Sequence, residues 1–184
     1  MLFLLVFLFA VLVAVGLGLL SGWSDFRGMI IPNAYPLGII VAFAFAYAAM
    51  ALGDNPEPFQ RLSSHLTAGG LALLVTFIMT VTKVMGGGDS KLITAYALWM
   101  GMLNLAWYLF VVTLIGAAVA VAAILIRRFK PFKNVREGSW MARSQAGEAV
   151  VPYGIPIAAG AVYMFFAEHY LSLAVLKAFL VPVE

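Results

Sequence analysis

Long apolar blocks dominate this chain, and six stand out, at 2–22, 34–52, 66–85, 90–103, 105–126 and 152–171, separated by turn-rich or charged breaks. One crossing of a bilayer takes about 20 predominantly apolar residues, and a helix satisfies its own backbone inside hydrocarbon. The pattern therefore predicts an all-α fold, a polytopic membrane helical bundle of about six transmembrane helices. The fourth block is too short to span upright. It is expected to start partway into the membrane and to end in a tight outer turn marked by Gly101 and Asn104. The tail from His169 to Glu184 is too irregular for a further crossing, and Lys177 with Pro182 suggests an interfacial end. No internal repeat or low-complexity run is visible, and the one extended polar segment is 127–151. Residues 1–184 are therefore expected to form a single integral membrane domain, with a basic loop at about 127–151.

Composition agrees with that pattern. Hydrophobic residues make up 64% of the 184 positions and charged residues 10%, and the mean hydropathy of +1.03 lies far outside the range of a soluble domain. Cysteine is absent, which excludes disulfides, thiolate nucleophiles, Cys-ligated zinc and iron–sulfur clusters. No Lys or Arg precedes the first block, which runs on to residue 22, so a cleavable signal peptide is not expected. Charge then sets the orientation. Segment 127–151 carries Arg127, Arg128, Lys130, Lys133, Arg136 and Arg143 against Glu137 and Glu148, and loops rich in Lys and Arg stay on the cytoplasmic side. Counting crossings back from that loop puts the N-terminus outside and the loop with Asp54, Glu57 and Arg61 outside. It puts both Asp25 and Asp89 at cytoplasmic helix ends, and neither aspartate entered the count.

A carboxylate at the bilayer centre costs about 2.5–3.5 kcal/mol on insertion scales, so an intramembrane acid marks a functional site by default. Asp25 lies in Asp25-Phe26-Arg27-Gly28-Met29-Ile30-Ile31-Pro32-Asn33, and Asp89 follows Gly86-Gly87-Gly88. Two carboxylates that share a proton can activate water against an amide. The ionised member takes a proton from the water, the neutral member donates a hydrogen bond to the scissile carbonyl, and the roles exchange as the tetrahedral intermediate collapses. Such chemistry needs no metal and no cofactor. The two acids sit on different helices, an arrangement that permits contact without requiring it. Each glycine costs about 1 kcal/mol relative to Ala inside a helix, so the triplet is expected to break the third helix just before Asp89. It would also leave room for an extended substrate backbone; the plainer reading is an ordinary interhelical turn.

Asp25-x-Arg27-x-x-x-Ile31-Pro32-Asn33 followed by Gly86-x-Gly88-Asp89-x-Lys91-Leu92 resembles the paired signature of the type IV prepilin peptidases, membrane aspartic proteases of bacteria with archaeal preflagellin relatives. The likeness includes the order of the motifs and their positions after the first and third helices. Val151-Pro152-Tyr153-Gly154-Ile155-Pro156 further resembles the short prepilin peptidases of tight-adherence (Flp) pilus systems. The resemblance implies a GxGD-type aspartic endopeptidase of the inner (plasma) membrane, with Asp25 and Asp89 as the catalytic pair. Its task would be to remove the short, positively charged leader of type IV prepilins or pseudopilins at the cytoplasmic face. Larger bifunctional members carry an N-terminal cytoplasmic domain with paired cysteines and also methylate the new pilin N-terminus. This chain has neither the cysteines nor room for that domain, so peptidase activity alone is expected. The implied partners are the prepilin substrate, membrane lipids and the pilus-assembly machinery, with no nucleic acid.

Other residues have two readings. Arg27 and Lys91 serve either as cations near the acids or as interfacial anchors. Asn33 is either the N-cap of the second helix or, by the resemblance, a supporting residue near the site. Gly86, Gly88, Pro152 and Gly154 are candidates for substrate binding or support, although Pro in the first turn of a helix is common on structural grounds alone. His65 and His169 fall toward the outer face, so no metal site is expected, and no His-Glu-x-x-His, Gly-x-Ser-x-Gly or P-loop spacing occurs. Ser139 in the basic loop has no nearby His. That loop either binds anionic lipid or the substrate's cytoplasmic head, or simply follows from the orientation. Trp23, Trp99, Trp107 and Tyr108 are expected in an interfacial aromatic belt. Two other functions fit an apolar chain with buried acids. A proton-coupled transporter is one, though such folds usually carry repeats; a non-catalytic scaffold for pilus assembly is the other.

Overall fold

The computed structural model describes residues 2–53, 59–167 and 170–171, so the expectations for Asp54, Glu57, His169 and the tail from 172 onward lie outside the described residues. Every regular element among the described residues is a helix: α1 (Leu2–Gly28), α2 (Ala34–Leu52), α3 (Leu62–Val81), α4 (Gly87–Phe129), α5 (Trp140–Gln145) and α6 (Gly154–Ala167). The first four are long and apolar enough to cross a membrane, and α6 is shorter but apolar. α1 packs on α2, α3 on α4, and α6 against both α1 and α4.

The two blocks expected at 90–103 and 105–126 share one element. α4 has 43 residues, which at 1.5 Å per residue would reach about 65 Å if straight, twice the hydrocarbon thickness. It is not straight. Gly101 adopts φ 64°, ψ 175°, a conformation nearly confined to glycine, and divides α4 into arms 87–100 and 102–129. The rings of Tyr96 and Tyr108 lie 6.4 Å apart, whereas an unbroken helix would separate those positions by about 18 Å. The arms therefore fold back on each other as a helical hairpin, with its turn where the sequence predicts one.

A break inside a membrane helix leaves backbone groups without partners, and each has to be satisfied internally. Here Gln60, Ser64 and His65 around the start of α3, together with Tyr170, partner backbone groups on both sides of the break. Leu98 O accepts from Nδ1 of His65 at 2.6 Å, and Met100 O accepts from Nε2 of Gln60 at 3.1 Å. Trp99 O accepts from the Tyr170 hydroxyl. Beyond the break, Met102 N–H donates to Ser64 Oγ at 3.0 Å and Leu103 N–H to Gln60 Oε1 at 3.5 Å. Gln60 N–H donates to Nε2 of His65 at 3.1 Å, so the His65 proton sits on Nδ1 and the ring is neutral. These tertiary partners also explain why α3 starts at Leu62, ahead of its apolar block. It ends at Val81 because Lys83 turns left-handed, at φ 61°.

The first arm of α4 is the spine of the bundle. Tyr96 donates its hydroxyl to Ala14 O of α1 at 2.8 Å, and Trp99 Nε1 donates to Ile39 O of α2 at 3.1 Å. Tyr108, on the second arm, donates to Ile157 O of α6 at 3.3 Å. Gly18, one turn beyond Ala14, lets the Tyr96 ring approach, since a Cβ there would collide with the hydroxyl. Trp99 and Tyr108 are thus fully buried, not in an interfacial belt, because each polar tip finds a carbonyl on a neighbouring helix. Trp23 and Trp107 are exposed.

The polar segment after α4 is more ordered than a plain loop. Ser139 caps α5 by accepting from Ala142 N–H at 3.3 Å, and Trp140 lies against Phe26 of α1 with ring centroids 5.8 Å apart. Gln145 exchanges hydrogen bonds with the backbone of Phe132, and Arg143 pairs with Glu148 at 2.7 Å. That ion pair is partly exposed and contributes little to stability. α5 therefore closes the end of the bundle opposite Gly101, the end at which α1 and α3 finish and α2, α4 and α6 begin.

Candidate active site

Asp25 occupies the last turn of α1 and is buried, 5% exposed. Its Oδ2 accepts a hydrogen bond from the backbone N–H of Gly154 at 2.8 Å. Gly154 is the first residue of α6, so this N–H has no partner within its own helix and sits at the positive end of the helix dipole. Close approach depends on two glycines. A Cβ at Gly22, one turn before Asp25, would lie 3.4 Å from Gly154 O, and one at Gly154 would lie 2.9 Å from Asp25 Cβ and 3.0 Å from its Oδ2. Of the supporting residues expected from sequence, Gly154 therefore touches an acid directly. Pro152 is buried just ahead of it, and its carbonyl accepts from Ile155 N–H at 3.2 Å.

Asp89 stands in the first turn of α4, three residues after the N-cap Gly86. Its carboxylate turns back toward Gly86, in the manner of an N3 acid reaching for the N-cap backbone. A Cβ at Gly86 would lie 2.8 Å from Asp89 Oδ2. None of Gly86, Gly87 and Gly88 has a positive φ; the left-handed residue in this connection is Lys83. The triplet is used for room, and Gly88 packs on Ile31. Ser90, the next residue, is buried and shares a 2.8 Å hydrogen bond with Thr76 of α3.

Asp25 and Asp89 line the same cavity, of about 990 Å³. Leu71, Val75 and Met79 of α3 form one apolar wall, and Leu105, Leu109 and Val112 from the second arm of α4 form another. Thr76, Thr80 and Tyr153 add hydroxyls to the lining that the sequence reading did not single out. The threonines carry a readable signal, being polar residues one turn apart on an apolar helix. Tyr153 falls within the 151–156 motif but carries no mark of its own that places it in the cavity.

The remaining candidates sit at the rim. Lys91 donates from Nζ to Asn33 Oδ1 at 2.8 Å, which ties the start of α2 to the first turn of α4. Asn33 precedes α2, but its side chain makes no capping hydrogen bond, because its own backbone is already helical, at φ −59° and ψ −25°, rather than in the extended form a capping residue takes. Arg27 is exposed and lies over the Trp23 ring at 5.0 Å, a cation–π contact. His65 lies at the Gly101 end with both ring nitrogens engaged. Among the described residues, no group of three or more His, Cys, Asp or Glu converges in a way that would hold a metal ion.

A model described as the type IV leader peptidase family matches residues 3–125, the span from α1 into the second arm of α4 that contains both aspartates, Asn33 and Lys91. No curated protein and no solved structure matches the chain.

Proposed function

The chain belongs to the type IV leader peptidase family and is a multi-pass membrane peptidase, and from that premise we propose that it cuts by an aspartic mechanism in which Asp25 and Asp89 activate water. One observation carries the reading: two acids from helices far apart in sequence line one cavity at one end of the bundle. The ionised carboxylate takes a proton from the attacking water, and the neutral one donates to the scissile carbonyl. When the tetrahedral intermediate collapses, the proton first taken from water passes to the departing amide nitrogen. The Gly154 N–H holds Asp25 in a fixed orientation throughout.

The substrate in this reading is a type IV or Flp-like prepilin or a pseudopilin, and the product is the pilin freed of its leader. Cleavage takes place at the cytoplasmic face of the inner membrane, the side on which the positive-inside rule puts the segment after α4. Cleavage without N-methylation is the expected activity. The test is Asp25→Asn and Asp89→Asn, each coexpressed with a prepilin whose mass is then measured. Loss of leader removal in each variant supports the dyad, and retained cleavage in both rejects it. A transporter or scaffold reading predicts that processing does not depend on these two side chains.

A further inference from the structure

The connection between α1 and α2 spans residues 29–33, and one side chain in it is turned inward. Ile31 is 8% exposed, whereas its neighbour Ile30 is 67% exposed. Ile31 Cβ lies 3.0 Å from where a Cβ on Gly88 would stand, with its Cγ1 at 3.5 Å. At its far end, Cδ1 lies 3.1 Å from where a Cβ on Gly154 would stand. Gly88 is the residue before Asp89, and Gly154 is the residue whose N–H binds Asp25. A single isoleucine thus touches both backbones from which the carboxylates are aimed.

The connection is anchored on each side of it. Met29 N–H donates to Asp25 O at 2.8 Å and Ser24 Oγ to Ile30 O at 2.7 Å, which bind it to α1. The Lys91 to Asn33 hydrogen bond, also 2.8 Å, binds it to α4. Ile31 therefore cannot drift with a loose loop. A β-branched side chain is stiff at χ1, and packed interiors yield little to compression.

We propose that Ile31 is a positioning residue whose side chain sets the separation of Asp25 and Asp89. The proposal rests on the reading that the two acids act together. Its geometry is measurable apart from activity, because the chain has no native cysteine to interfere.

The experiment has two arms. In the first, purified Ile31→Ala and Ile31→Val enzymes cleave a prepilin peptide in detergent. Ile31→Ala should lower kcat by about 10²-fold, the scale of a misplacement near 1 Å, with little change in KM and an altered spacing between the two limbs of the pH profile. Ile31→Val keeps the atoms against Gly88 and loses Cδ1 against Gly154, so its loss should be smaller. In the second arm, Asp25→Cys with Asp89→Cys is treated with thiol crosslinkers of graded length, with and without each Ile31 change. The linker length that reacts fastest should shift with Ile31→Ala. An unshifted length, or wild-type kcat and pH profile in both variants, overturns the proposal. If Ile31→Ala does not fold, Ile31→Val decides on the same readouts. A shifted length together with full cleavage by Asp25→Asn and Asp89→Asn would uphold the spacer and overturn the dyad.

Discussion

The backbone N–H of Gly154 reaches Oδ2 of Asp25 at 2.8 Å across 129 positions of sequence. The first residue of the last described helix thereby holds an acid at the end of the first one. Gly154→Ala would put a methyl group 2.9 Å from Asp25 Cβ, and the carboxylate would have to turn away. Cleavage should fall by about 10²-fold, since a displacement near 1 Å at a reacting group carries that cost. Gly16→Ala and Gly70→Ala are the matched controls. Nothing lies within 4 Å of a Cβ at either position. Both should keep full activity and gain about 0.5–1 kcal/mol from helix propensity, read as a higher melting temperature in detergent.

A carboxylate pair that works with one member neutral and one ionised has a characteristic pH response. Activity should be lost at low pH, where both acids are protonated and no base remains, and at high pH, where both are ionised and no acid remains. The profile of kcat/KM should therefore be a bell whose two limbs belong to the pair and not to either residue. A single sigmoid would contradict two-carboxylate catalysis.

Lys91 and Asn33 should act as one unit. Their hydrogen bond spans two helix starts at the exposed rim, so removing it should cost the fold little, about 1 kcal/mol or less. It should lower cleavage, because the connection carrying Ile31 is freed at one anchor. Lys91→Ala, Asn33→Ala and the double variant should show nearly equal losses, the non-additivity expected of residues that share one contact. Additive losses would mean separate roles.

Gly101→Ala tests the hairpin. Its φ of 64° and ψ of 175° suit glycine alone, and a Cβ there would stand 2.8 Å from Gln60 Oε1. Destabilisation of about 1–3 kcal/mol is expected from the backbone conformation. Thermal unfolding in detergent would measure it, and an unchanged midpoint would count against the break.

The acids were legible in the sequence because a carboxylate at the edge of an apolar block has no cheap structural explanation, and the glycines beside Asp89 pointed to a close approach. Helix number was legible because hydrocarbon thickness sets segment length. Partners chosen in three dimensions were not legible. Trp99 and Tyr108 have a composition that suits an interface, yet both go inside, because Ile39 O and Ile157 O wait there for their polar tips. Asn33 stands before a helix as a cap would, but its backbone is helical and its side-chain oxygen accepts from Lys91. The basic segment held a short helix that six residues of mixed character do not announce. Ile31 is part of the motif that begins at Asp25, but its inward turn is not legible, since an isoleucine before a proline reads as ordinary linker until its burial is known.

The clasp of Gln60, Ser64 and His65 around Gly101 has a mechanical corollary. Hydrogen bonds lock that extremity from both sides of the bend, so it acts as the fulcrum of a pair of tweezers. The tips are the short connectors at 29–33 and 82–86. Whatever breathing admits a peptide has to be spent at those tips, and the leverage of the whole assembly falls on the acids beside them, Asp25 at the end of α1 and Asp89 at the start of α4.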